Sequence, residues 1–246
     1  MISVENLKVS IGKKKILKNI GFTAKDGEFV ALIGPNGSGK STLLRSVAGM
    51  IPYEGSISLD GKEITHMKRR DYAKRMAMVS QFNDGAFELT VMDMVLMGRS
   101  PYHSFWESEG EEDRALAEKA LEKVGLWDFR HRPLGELSGG ERQRAVLARA
   151  FVQETDHMLL DEATNHLDVY YQMSILSLVK SSGATVIAAL HDINHALRFA
   201  DAIVALKEGE VLFHKTPKTV DEKDLFDLYG TEAFIGEVKG ERVVRY

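Results

Sequence analysis

Residues 29–42, FVALIGPNGSGKST, decide the fold of this 246-residue chain. Five apolar residues favour a strand, a glycine-rich run follows, and residues 41–48 then read as a helix. Gly34, Gly39, Lys40 and Ser41 satisfy the spacing GxxxxGK[ST]. In that pattern backbone N–H groups cradle phosphates, the lysine reaches the outer phosphates and the hydroxyl meets a magnesium ion. A glycine-rich turn of an ordinary α/β protein could carry the same letters, but the strand before and the helix after select the phosphate-binding reading. Gly34, Pro35, Asn36, Gly37, Ser38, Gly39, Lys40, Ser41 and Thr42 are therefore expected to hold a nucleoside triphosphate.

Working outward, residues 2–9, 20–23 and 55–59 favour strands, and 78–80 is a brief strand ending at Gln81. From 82 to 155 the pattern changes. Helix-compatible segments lie at 91–98, 114–124 and 141–152 with no convincing strand between them, and the Glu-rich stretch 104–113 reads as an exposed loop. Alternation then resumes: strand 158–161, helix 169–180, strand 185–190, helix 193–199, strand 202–206. Glu208-Gly209 and Lys239-Gly240 mark hairpin turns. The expectation is one α/β domain over 1–246: a mainly parallel core with an N-terminal β part over 1–81 and 156–246, and an inserted helical subdomain over 82–155.

The acidic and basic counts, 36 and 32, leave a net charge of −4, so no global basic field draws the chain to nucleic acid. The absence of cysteine removes disulfide frameworks and thiolate metal sites. No apolar run approaches the roughly 20 residues of a membrane span, and the first ten residues lack the basic and apolar regions of a signal peptide. Any membrane association is expected to pass through a partner.

Two further places carry chemistry. Asp161 and Glu162 end an apolar strand, where Asp161 would hold magnesium and Glu162 would orient and deprotonate an attacking water. An acidic pair after a strand is, by itself, more often a helix cap or loop; the glycine loop upstream reverses that weighting. Residues 137–144, LSGGERQR, form a second anion-ready helix start: Ser138 caps it, Glu141 closes a capping box, and Gly139 and Gly140 leave the backbone open. This second start lacks a lysine. Since one nucleotide fills one phosphate loop, the duplication suggests that each nucleotide touches two protein surfaces.

Taken in order, residues 34–42, Gln81, 137–144, 159–162, 165–168 and His191 resemble the ATP-binding cassette ATPases over nearly the whole chain. The resemblance implies a RecA-like P-loop NTPase core and an ATP hydrolase that uses ATP and Mg2+. By position it implies that Gln81 senses magnesium or water, that His191 contacts the outer phosphate, and that Asp168 contacts a second copy. Without it, His191 and His195 at helical spacing could suggest a metal pair, but no third ligand cluster accompanies them. It further implies a homodimer, with each ATP held between Lys40's loop in one copy and Ser138, Gly139 and Gly140 of the other. Catalysis is expected from Lys40, Glu162 and His191, and magnesium binding from Ser41, Gln81 and Asp161.

Two positions depart from the pattern: Ile11 stands where the family usually has an aromatic residue against adenine, and Ala163 where it commonly has proline. The segments VLMGRSP at 95–101, RQRAVLAR at 142–149, TNHLD at 164–168 and LHDINHA at 190–196 look like importer ATPases for ferric siderophores, haem and cobalamin. That implies integral membrane permease partners, a substrate-binding protein acting through them, and a place on the cytoplasmic face of the cell membrane. The alternatives are a soluble cassette protein of translation or iron-sulfur assembly, although those usually carry paired cassettes, and an importer ATPase for another solute.

Overall fold

The computed structural model describes residues 1–80, 88–104, 107, 109–164 and 167–246. Its strands are β1 (Ile2–Ile11), β2 (Lys14–Ala24), β3 (Phe29–Ile33), β4 (Glu54–Leu59), β5 (Lys62–Glu63), β6 (Met76–Ser80), β7 (His157–Asp161), β8 (Thr185–Ala189), β9 (Ala202–Lys207), β10 (Glu210–Lys215), β11 (Phe234–Val238) and β12 (Glu241–Arg245). The helices are α1 (Lys40–Val47), α2 (Arg69–Ala73), α3 (Val91–Leu96), α4 (Glu111–Lys123), α5 (Gly139–Val152), α6 (Val169–Lys180), α7 (Ile193–Phe199) and α8 (Glu222–Tyr229). Two units divide the chain: one comprises Met1–Met67, Leu160–Glu162 and Gly183–Tyr246, the other Lys68–Leu159 and Ala163–Ser182.

In the first unit, β3 runs parallel to both β8 and β9, and β10 returns antiparallel to β9. All five residues of β3 and all five of β8 are buried, the signature of strands covered on both faces. Each large side chain buried in this way contributes about 1.5–3 kcal/mol. An antiparallel sheet, β2-β1-β4-β5, is built from the N-terminal residues. It is tied to the core sheet where Gly209 meets β2: Lys18 N–H donates to the Gly209 carbonyl at 2.9 Å, and a Cβ on Gly209 would lie 2.1 Å from the Ile16 oxygen. Glu208 and Gly209, at φ 50° and 79°, make the β9–β10 turn; Lys239 and Gly240, at 53° and 81°, make the β11–β12 turn.

The second unit is mainly helical. Gly98 lets the backbone after α3 approach α5, since a Cβ there would meet the Arg149 oxygen at 2.2 Å. Ser104, Glu107, Glu109 and Gly110 form the exposed loop expected of 104–113, but α4 already begins at Glu111 and Asp113 is only 5% exposed. Asp113 accepts from Arg99 Nε at 2.9 Å and from the Gly110 N–H at 3.0 Å, so a residue that reads as solvated anchors a buried arginine. Three acidic residues in the first turn of α4 also match the positive end of the helix dipole.

Helix α8 stands in a stretch whose sequence pattern predicts no element. It is held by Asp221 and Asp224, each accepting the other's backbone N–H at 2.8 and 2.9 Å, and it ends at Gly230 with φ 72°.

Candidate nucleotide site

The glycine loop leaves β3 at Ile33 and enters α1 at Lys40. Gly34 has φ 145°, and a Cβ there would lie 2.1 Å from the Leu206 oxygen, so only glycine passes beneath β9. Gly39, at φ 107°, is the N-cap of α1 and supplies no side-chain cap, which leaves the first-turn N–H groups for an anion. Pro35 is half-buried, Asn36 and Gly37 are exposed, and Ser41 and Thr42 are half-buried on the first turn of α1. Ser38 Oγ is buried with no hydrogen-bond partner among the described residues.

Lys40 is 5% exposed, and its Nζ donates to the Gly34 and Pro35 carbonyls at 2.7 and 3.2 Å. Burial pushes its pKa below the ordinary lysine value, against the opposing pull of Glu162 and Asp161.

Asp161 ends β7 and is buried; its Oδ2 lies 3.8 Å from Arg45 Nε, and its Oδ1 has no hydrogen-bond partner among the described residues. Glu162 follows at φ 56°, a left-handed conformation that a non-glycine residue adopts at a cost. That turn directs its carboxylate to His191, whose Nε2 lies 3.0 Å from Glu162 Oε1. Lys40, Asp161, Glu162 and His191 thus occupy one unit, and Arg45, which no motif marks, joins them. His195 is buried with its ring edge-on to Phe199 at 6.5 Å, and among the described residues it belongs to no group of potential metal ligands.

In the second unit, Ser138 caps α5 through the capping box read from the sequence. Its Oγ accepts the Glu141 N–H at 3.3 Å, and Glu141 Oε2 accepts from the Ser138 N–H at 2.8 Å and from the hydroxyl at 2.6 Å. The Ser138 hydroxyl and backbone hold the Glu141 carboxyl below its usual value. Ser138 and Gly139 are exposed, and Gly140 is half-buried against Tyr171. Tyr171 also lies under the Arg144 guanidinium at 4.9 Å, and its N–H is capped by Asp168 Oδ1 at 3.0 Å. Helices α5 and α6 therefore share one aromatic contact, Tyr171, that the sequence does not single out. Ala163 is buried. Gln81 and Asn165 lie outside the described residues.

The ABC transporter family matches residues 17–165, more than half of the chain. This chain belongs to the ABC transporter family. The cassette is 40% identical over 241 residues to the petrobactin import ATP-binding protein FpuC of Bacillus anthracis, covering 96% of this chain and 89% of that protein. It is 39% identical over 230 residues to the hemin import ATP-binding protein HmuV of Chelativorans sp. strain BNC1, covering 89% and 87%. The dimeric post-hydrolysis structure of the ATP-binding cassette MJ0796, bound to ADP and Pi, aligns with a TM-score of 0.75 at 29% identity, over 89% of this chain and all of that one. The chain is accordingly an ABC-type ATP hydrolase with a nucleotide-binding P-loop.

Proposed function

We propose that this cassette is the ATP-hydrolysing subunit of an importer for a metal chelate: a ferric siderophore, haem or cobalamin. The similarity to petrobactin and hemin import proteins supports that cargo class. No helix among the described residues is long and apolar enough to cross a membrane. Attachment to the cytoplasmic face would therefore run through integral permease subunits, with a substrate-binding protein delivering cargo from the other side.

The observation that carries the catalytic reading is the gathering of Lys40, Asp161, Glu162 and His191 around the glycine loop. Triphosphate entering the loop would take the Lys40 ammonium from the Gly34 and Pro35 carbonyls, and phosphate charge would favour its protonated form. Asp161 Oδ1, a buried carboxylate oxygen left without a partner, fits a hard cation, and Ser41, with Gln81, would complete the magnesium ligands. Magnesium would neutralise charge on the outer phosphates. With Glu162 ionised, the 3.0 Å contact has His191 Nε2–H donating to it. With triphosphate in the loop, the imidazole would turn to the outer phosphate, and Glu162 would orient and deprotonate water.

The exposed Ser138 and Gly139 support a homodimer in which each ATP is closed by the α5 start of the other copy. Its closing on ATP and opening after hydrolysis would be the stroke delivered to the permease. Ile11, 61% exposed, would pack on the base without an aromatic face.

Reconstitution with the permease that co-purifies from membranes tests this reading. ATP turnover should rise on adding a substrate-binding protein loaded with one of the three cargo classes. A chain that brings down no permease and gains nothing from any loaded protein is not this importer subunit.

A further inference from the structure

His191 is presented on the three-residue connection between β8, ending at Ala189, and α7, beginning at Ile193. Helix α7 has seven residues, too few to hold its own first turn, so the orientation of that connection depends on tertiary partners. Asn194 supplies one. Its Oδ1 accepts the Val244 N–H at 2.8 Å, and its Nδ2 lies 3.4 Å from the Val244 carbonyl it donates to. The side-chain amide thus behaves like one more residue paired to β12. The pairing also settles which amide atom is which, because the N–H needs an acceptor and the carbonyl a donor. The Asn194 N–H in turn donates to Asp192 Oδ1 at 2.8 Å, which ties the clamp to the residue after His191.

The rest of the C-terminal segment reaches the other side of the same site. Tyr229, the last residue of α8, packs edge-on against Tyr246 with ring centroids 6.1 Å apart. Burial raises its hydroxyl pKa well above the ordinary value; nearby Tyr246 and Asp192 add to that, and the backbone N–H of Gly34 acts the other way. The segment from α8 to β12 therefore borders both the first glycine of the phosphate loop and the turn that carries His191. An exposed ion pair, Arg198 with Glu241 at 3.4 Å, adds little to this docking.

We infer that Asn194 is a positioning residue for ATP hydrolysis: by clamping the first turn of α7 to Val244 of the C-terminal hairpin, it holds the His191 imidazole in line with Glu162 and the outer phosphate. Asn194 touches no reacting atom in this account and acts through His191, so the inference rests on the catalytic reading of that histidine.

The test is a double-mutant cycle on the full-length chain, reading kcat and KM for Mg-ATP in Asn194→Ala, His191→Ala and the double variant. Asn194→Ala should lower kcat about tenfold and leave KM within about twofold, since the phosphate loop is untouched. Asn194→Asp should do the same, because it keeps the shape and the acceptor but sets an oxygen against the Val244 carbonyl. In the His191→Ala background, Asn194→Ala should cost nothing more. A slow His191→Ala beside an Asn194→Ala at full rate overturns this inference alone, as does a loss in the double variant equal to the product of the two single losses. A His191→Ala variant with unchanged turnover overturns the catalytic reading, and this inference with it.

Discussion

Lys40, Asp161, Glu162 and His191 are engaged within their own unit: the lysine lies on two loop carbonyls, and the histidine lies on the glutamate. Ser138 and Gly139 are exposed at the start of α5, and the Ser138 hydroxyl is turned back to Glu141 of its own helix. The first region carries buried charge, a left-handed Glu162 and a carboxylate oxygen with no hydrogen-bond partner among the described residues as its cost. The second carries none of that strain, because a capped helix start is stable by itself. Under the proposed function, the contrast separates two tasks: binding and cleaving the triphosphate would fall to the strained region, and enclosing it to the relaxed one.

That division is open to breaking at each region, and the largest expected effect is in the first. Glu162→Gln removes the proposed base while preserving shape, so kcat should fall by about 10²–10⁴-fold with ATP affinity nearly unchanged. A single-turnover assay beside equilibrium nucleotide binding checks both halves of that statement. Turnover at the original rate would move the chemistry elsewhere.

A smaller effect concerns pH. The Lys40 pKa is lowered chiefly by burial, with Glu162 and Asp161 opposing, so Lys40 loses its proton below the free-lysine value of 10.5. While protonated it bears the desolvation penalty, and that penalty is relieved as pH rises through the folded pKa toward the unfolded one. The stability contributed by this group therefore rises over the same alkaline window in which nucleotide affinity falls. Measuring affinity against pH should show the fall beginning below the ordinary lysine range, and Lys40→Arg should move it higher. A fall starting only at the ordinary lysine value would contradict the burial argument. Ser138 and its neighbouring glycines carry no such group, so enclosure should lack this dependence.

Much of this was legible from local letters. Strand β3, helix α6 and helix α7 begin and end where the apolar pattern and caps placed them, and the Ser138–Glu141 capping box needs only spacing to be read. Every element of the phosphate loop is likewise local: strand, glycines, lysine and helix lie within 14 consecutive residues.

What escaped depends on distance along the chain or on conformations that letters do not encode. Asp113 read as loop because its arginine lies 14 residues away, and α8 read as nothing because aspartates at both capping positions look like a solvated turn. Asn194 and Val244 are 50 residues apart, and no pattern in either segment announces the clamp. Arg45 enters the Asp161 neighbourhood only because α1 passes that strand end. The left-handed backbone of Glu162 is forced by its surroundings, for nothing in a glutamate asks for it.

In the proposed dimer, Ser138, Gly139 and Gly140 close over a nucleotide held by another copy. Its most direct test is the molar mass in solution of the Glu162→Gln chain with Mg-ATP, with and without Ser138→Arg. Glu162→Gln should form an ATP-dependent dimer, and adding Ser138→Arg should leave a monomer that still binds ATP. A dimer that persists in the double variant would contradict this closure.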